Sequence, residues 1–315
     1  NGDGAATVEG LGDQAWQGAD TVTNIDQLHF LVPPFNQSQF VSLPLSVRQL
    51  VSNGRPVTLG TAGADVLDLA VIHPQASADG EYQVSGSFGD DTLSGTVGTD
   101  FLVGQAGADS LSGRDGDDYL AGGAGNDVLD GGDNTAVLGL RRDVGGDIAA
   151  YLDATSGLTI DLSITTAQTV GGGAGVDTIV NVENVYAGGY DDVVRGDSRS
   201  NYIYGGAGAD SLSGQDGDDV LEGAGGDDRL DGGAGEDWAV YGEAATTGVK
   251  VDLALEGAQA VSADFGSDTL VSIENLAGSE HNDTLAGNDG VNTLDGAEGG
   301  DSLSGRGGND QLWGD

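Results

Sequence analysis

Five consecutive nonapeptides, GSFGDDTLS, GTVGTDFLV, GQAGADSLS, GRDGDDYLA and GGAGNDVLD, occupy Gly86 to Asp130 without a slip of register. With each unit numbered from one to nine, glycine holds positions one and four. Aspartate holds position six (Asp91, Asp100, Asp109, Asp118, Asp127) and leucine position eight (Leu93, Leu102, Leu111, Leu120, Leu129). A nine-residue period matches no heptad, and two glycines per unit oppose a helix of any length. What remains is a turn over positions one to six and a short strand over seven to nine. Side chains alternate along a strand, so only position eight points inward. Two units complete one coil, and the chain is expected to be all-β, a solenoid of stacked coils.

The pattern extends well beyond this stretch. A single unit, GTAGADVLD, stands at Gly60 with Asp65 and Leu67 in the same columns. A second array runs from Ala187 to Val240, with Asp192, Asp210, Asp219, Asp228 and Asp237 at position six and Asn201 substituting once. Its first two units carry Tyr190 and Arg199 in place of the position-four glycine, so ion sites there are expected to be weak or absent. A third array starts at Gly278, with Asp283, Asn292, Asp301 and Asp310 at position six. Segment 157–224 maps onto 248–315 at an offset of 91 residues without a gap, so that Gly157, Asp161, Gln168 and Asp177 return as Gly248, Asp252, Gln259 and Asp268. Each large unit is therefore a connector followed by an array. The connector reads GLTIDL or GVKVDL, then GVDTIVNVENV or GSDTLVSIENL, and its last apolar residue (Val185, Leu276) falls nine residues before Val194 or Leu285. Connectors in register with the stack are expected to cap or continue it. The organisation read from these landmarks is a β-rich segment 1–58, a first array with an irregular insert 59–147, connector plus second array 148–243, and connector plus third array 244–315.

Charge decides which ligands are compatible. Against 52 acidic residues stand 10 basic ones, Lys250 being the only lysine, for a net charge of -42. Such a chain repels nucleic acid and anionic lipid, and no apolar run approaches the roughly 18 residues of a membrane span. There is no cysteine, hence no disulfide or thiolate metal site, and with no methionine the sequence reads as an internal piece of a longer chain. Stacked coils bring position-six carboxylates of alternate units to about 5 Å, where they repel by roughly 1 to 3 kcal/mol per pair. A divalent cation between coils reverses that sign. Two stacked turns offer carboxylates and backbone carbonyls, an all-oxygen set that suits calcium, whereas magnesium demands a tighter octahedron. Several Ca2+ ions are expected.

The units GGAGNDVLD at Gly122, GGAGADSLS at Gly205 and GGAGEDWAV at Gly232 match the pattern GGxGxDxUx nearly letter for letter. The chain thereby resembles the RTX family, also called haemolysin-type calcium-binding repeats, over the three arrays and through the connector phrases. The resemblance implies a right-handed parallel β-roll and export from a Gram-negative cell by type I secretion machinery. It also implies disorder in the calcium-poor cytosol and folding outside the cell. Carried over position by position, it makes metal ligands of Asp65, Asp91, Asp100, Asp109, Asp118, Asp127, Asp192, Asp210, Asp219, Asp228, Asp237, Asp283, Asp301 and Asp310. The pairs run between alternate units: Asp91 with Asp109, Asp100 with Asp118, Asp109 with Asp127, Asp210 with Asp228, Asp219 with Asp237, and Asp283 with Asp301. Asn201, Asn292, Tyr190 and Arg199 depart from the pattern at their own sites.

Catalytic signatures are absent from the sequence: there is no HExxH, GxSxG or P-loop. GDSL at Gly300 to Leu303 is positions five to eight of a nonapeptide, and His29, His73 and His281 match no zinc spacing. The expected function is therefore that of a calcium-binding, non-enzymatic repeat region which folds after export and presents the rest of a secreted or cell-surface protein. Aromatic residues at outward position seven (Phe101 and Tyr119, then Tyr202 and Trp238) motivate an alternative, a calcium-dependent module binding polysaccharide or a second copy of the chain. Another is the non-catalytic tail of a secreted protease, lipase, epimerase or peroxidase.

Overall fold

Glycine-rich turns every nine residues and one inward leucine per unit produce coils of two short strands on opposite faces. A computed structural model describes residues 48–52, 55–76, 81–134, 145–242 and 245–314. The expectations for residues 1–47, with His29 and the phrase from Gly18 to Leu28, lie outside the described residues. Units 18 residues apart pair in parallel on the same face, as in Leu102 with Leu120 on one face and Leu111 with Leu129 on the other. One face is a single 13-stranded sheet reaching from Arg48–Ser52 to Gln311–Trp313. The opposite face is divided into sheets of six, six and three strands. Apart from one short helix, Leu69–Ile72, capped by Asp68, the architecture is a parallel β-roll.

The inward column forms the core. Leu93, Leu102, Leu111, Leu120 and Leu129 have no exposed surface, nor do Val194, Ile203, Leu212, Leu221 and Leu230, nor Leu285 and Leu294. All belong to one continuous cluster through the roll.

Strand length departs from the expected three residues. Ser110–Asp115, Val128–Asp133, Ser211–Asp216 and Arg229–Ala234 each take in positions one to three of the following unit, leaving only positions four to six as the turn. The extra pairings join position-two residues that share a left-handed backbone, such as Gln105 with Gly123 (φ 79° and 92°) and Gln215 with Gly233 (86° and 109°). In the third array Ala297 and Arg306 have that conformation, but Ser279 and Asn288 one coil earlier do not. Without matching partners, the strands Thr284–Ala286, Thr293–Asp295 and Ser302–Ser304 stop at position nine.

The connectors are woven into the roll. Thr159–Asp161 pairs ahead with Val193–Arg195, opening the second array's sheet. The chain then turns back, where the hairpin of Gln168–Gly171 and Gly175–Val180 closes the first array's sheet against Val128–Asp133. It returns to the long sheet at Asn184–Gly189. Lys250–Asp252, Gln259–Ser262, Gly266–Val271 and Asn275–Ala277 repeat the manoeuvre between the second and third arrays. The long sheet joins strands from successive segments, because Ile148–Ala150 pairs with Tyr119–Ala124 and Trp238–Val240 with Asn275–Ala277.

Position-seven aromatics stack along the outside of the long sheet. The Phe101 and Tyr119 rings lie 5.6 Å apart, and Tyr202 and Trp238 pack against a small buried cluster of Val220, Val240 and Ala277.

Candidate metal centre

The position-six aspartates line the two edges of the roll, where the chain turns from one face to the other. One carboxylate oxygen of each is used by the backbone. The N–H of Asp91 donates to Asp109 Oδ1 at 2.8 Å, that of Asp100 to Asp118 at 2.7 Å, and that of Asp109 to Asp127 at 2.8 Å. The ladder repeats from Asp192 to Asp210, Asp210 to Asp228, Asp219 to Asp237, and Asp283 to Asp301. The alternate-unit neighbours expected from the sequence are thus in direct contact.

The second oxygen has no such partner. Oδ2 of Asp91, Asp109, Asp118, Asp127, Asp192, Asp210, Asp219, Asp228, Asp237 and Asp301 is buried without a hydrogen bond. A buried polar atom left in that state costs about 1 to 3 kcal/mol, and more when charged. Position-one glycine explains where these oxygens point. A Cβ added to Gly104 would lie closer than 3.0 Å both to Asp109 Oδ2 and to the carbonyl of Gly122 one coil on. Gly113 stands in the same way to Asp118 and the Gly131 carbonyl, while Gly205 meets Asp210. Position one therefore needs glycine for space, whereas position four needs it for conformation as well as space: Gly107 (φ 147°) and Gly116 (φ 133°) are left-handed, and a Cβ on either would meet the Gly89 or Gly98 carbonyl oxygen at 1.8 or 2.7 Å.

Electrostatics mark many of the same carboxylates, and Asp100 with them, its pKa lifted by burial to about 6. Burial, reinforced by neighbouring carboxylates, lifts the pKa of Asp118 to about 8 and those of Asp127, Asp210, Asp219 and Asp228 to about 7. Asp91 and Asp109 are raised for the same reason, burial first. A row of buried carboxylates that resist ionisation is what remains of a cation-binding row when the positive charge is taken away. Among the described residues no group of three or more Asp, Glu or His side chains is placed to hold an ion. The donor set has to combine carboxylates with backbone carbonyls, and the glycine-lined space, the orphaned oxygens and the hard-oxygen chemistry together fit calcium.

The remaining expected ligands sit differently. Asp65, Asp100 and Asp283 have Oδ2 occupied by the backbone N–H of position two, Thr61 at 2.6 Å, Thr96 at 2.5 Å and Ser279 at 2.7 Å, although Oδ1 of Asp100, to which no preceding coil donates, is buried without a hydrogen bond. Asn201 and Asn292 receive Asp197 and Asn288 N–H in the same manner. Asp192 faces an alanine, Ala187, at position one. Asp310 accepts the N–H of Asn292 at 3.0 Å and is half-buried in the last coil described.

Column reading overlooked several members of the ladder. Asp147 accepts from Asp118 N–H, Asp177 from Asp127 N–H, and Asp268 from Asp228 N–H, over separations of 29, 50 and 40 residues. Glu183 and Glu274 accept from Asp147 and Asp237 N–H. Oδ2 of Asp147 is again orphaned, whereas the Asp268 carboxyl lies against the Tyr241 hydroxyl; burial lifts both carboxyls to about 7. A signal for them existed. In GVDTIVNVENV, Asp177 precedes Ile179, and Glu183 precedes Val185, by the two-residue step that links positions six and eight. The phrase is a pair of shortened units that keep one glycine, Gly175, at position four of the first and lack the others.

Comparison with known families agrees with this geometry. The family model described as the RTX calcium-binding nonapeptide repeat matches residues 85–120, 103–135, 186–221, 204–239 and 277–312. No curated protein sequence matches the chain. With the repeat pattern, the parallel β-roll and the family match all falling on the same residues, the three arrays of this chain belong to the family of RTX calcium-binding nonapeptide repeats.

Proposed function

We propose that this chain is a calcium-loaded folding and presentation module, in which cations held along both edges of the roll complete the fold. The observation that carries the reading is the row of buried, unpartnered Oδ2 atoms beside position-one glycines. The ligands are Asp91, Asp109, Asp118, Asp127, Asp147, Asp210, Asp219, Asp228, Asp237 and Asp301, each supplying its free oxygen, with glycine carbonyls of the neighbouring coil. Bound calcium supplies positive charge and accepts six to eight oxygens. The chain's own contribution is to hold those oxygens in place, through Oδ1 hydrogen bonds from the preceding coil, and to keep Cβ atoms out of the space. Without cations, orphaned carboxylates and mutual repulsion oppose stacking, so folding is tied to calcium supply. That coupling suits a protein exported unfolded, through type I secretion machinery, into a calcium-rich exterior. The segment boundaries near residues 58, 147 and 243 then separate repeat units within one roll.

A far-ultraviolet circular dichroism titration tests the reading. Strand signal is expected to be low in EDTA and to rise cooperatively with millimolar calcium; equal signals in both would sink it.

A second role, binding of polysaccharide on the outer face, is favoured by the Phe101–Tyr119 stack and by the Tyr186 ring, which lies 5.7 Å from that of Tyr202 and 5.8 Å from that of Tyr204 along the long sheet. A glycan array probed with calcium-loaded chain is expected to give calcium-dependent hits, and a blank array removes this role. Whatever chemistry a longer parent protein performs would reside in segments other than these repeats.

A further inference from the structure

At five of the six array edges the first turn is closed by a hydrogen bond from its own position two. The first turns are those of Asp65 and Asp100 in the first array, Asn201 in the second, and Asp283 and Asn292 in the third. In all of them position two is Thr, Ser, Asp or Asn, its φ is not left-handed, and its N–H donates to the position-six side chain. Hydroxyls add a second bond, Thr96 Oγ1 to Asp100 at 3.0 Å and Ser279 Oγ to Asp283 at 2.9 Å. Later turns carry Gly, Gln, Arg, Ala or Ser87 at position two with φ between 58° and 112°, and their Oδ2 atoms are the buried orphans except at Asp310, half-buried in the last coil described. The remaining first turn, at Asp192, has Ala187 at position one, so a Cβ already occupies the space that glycine leaves open elsewhere.

Independent contacts mark the same turns. The guanidinium of Arg114 donates to the Gly95 carbonyl at 2.7 Å and to both oxygens of Asp68. Arg306 repeats this on the Gly287 carbonyl and Asp252. Asn201 Nδ2 donates to the Glu183 carbonyl at 2.7 Å and Asn292 Nδ2 to the Glu274 carbonyl at 2.8 Å. Arg199, at the position-four site where glycine is missing, inserts its guanidinium between Glu183, Asp197 and the Val182 carbonyl. The stack that starts at Asp65 is also closed at its far end, where Tyr151 O–H donates to Asp177 Oδ2 at 3.1 Å.

We propose that position two sorts the turns, so that the first turn at each edge of each array is an ion-free cap and calcium is confined to the turns with a left-handed position two. Caps of this kind start each stack with protein donors in place of the cation. This inference rests on the calcium reading above and specifies where along the roll it applies.

Bound calcium per chain, measured by equilibrium dialysis at saturating calcium alongside circular dichroism, tests it on the full chain. Asp100→Asn is expected to keep the parent's calcium content, whereas Asp109→Asn loses at least one ion. Gln105→Thr, which places a capping residue in an open turn, is expected to lose at least one ion while retaining the strand signal. Equal losses for Asp100→Asn and Asp109→Asn, or an unchanged content for Gln105→Thr, overturn the proposal while leaving the calcium reading intact. A parent chain that takes up no calcium overturns the calcium reading itself.

Discussion

At position one the missing side chain is functional. Gly104 lies against Asp109 Oδ2 and the Gly122 carbonyl, so a methyl group there displaces either the carboxylate or the backbone of the next coil. Gly104→Ala is expected to destabilise the calcium-loaded chain by about 1 to 3 kcal/mol and to raise the calcium midpoint of folding. Gly63→Ala provides the contrast, since nothing lies within 4 Å of its added Cβ; its effect should stay within about 0.5 kcal/mol. Thermal melts at fixed calcium check both. Position four follows a different rule. There glycine answers a left-handed φ in addition to a close carbonyl, as at Gly107 and Gly116, so two columns that look alike in the sequence share the need for space and differ in the need for conformation.

At the scale of the element, the unit is a turn whose carboxylate grips the preceding coil. This explains why the ladder survives the connectors although the nonapeptide does not. Asp118 N–H finds Asp147 across 29 residues, and Asp127 N–H finds Asp177 across 50. The backbone selects any acidic side chain that arrives at the edge in register, with or without glycines. Asp147→Asn is therefore expected to lower calcium uptake measured by calorimetry by at least one ion, although the column reading omits this residue. Asp153→Asn, on an exposed residue nearby, leaves uptake unchanged. The position-eight core was legible up to the last coil, where Leu312 is exposed, because a strand with one inward residue in three has only one candidate. The extension of strands into positions one to three was not, because it depends on matching left-handed residues in adjacent coils.

For the whole molecule, burying a row of carboxylates makes stability depend on both protons and calcium. Asp118, Asp127, Asp147, Asp210, Asp219, Asp228 and Asp268 have pKa values raised from 3.8 to about 7 or 8. In the absence of calcium the folded chain binds more protons than the unfolded chain between about pH 4 and pH 8, so its stability is greatest below pH 4 and falls as pH rises through that window. Acidification is accordingly expected to restore strand signal to the calcium-free chain, while the calcium concentration needed for folding rises as pH falls below about 7. Circular dichroism titrations at pH 5 and pH 8 check both directions. The continuous 13-stranded sheet implies that these effects are shared along the roll and not confined to one array.

Sequence alone determined the period, the inward column, the calcium-type donor set and the in-register connectors, because each is a local rule repeated every nine residues. Asp91, Asp109 and Asp127 were legible as neighbours for that reason. Tertiary structure decided which carboxylates are satisfied and which are left with a free oxygen. That outcome depends on whether the peptide at position two turns its N–H toward the side chain, as at Thr96, or away from it, as at Gln105. It also decided that Thr159–Asp161 reaches forward before its own array begins, tying adjacent sheets together. These are choices of backbone conformation and of long-range partner, and a residue's identity biases them but does not settle them until the neighbouring coil is in place.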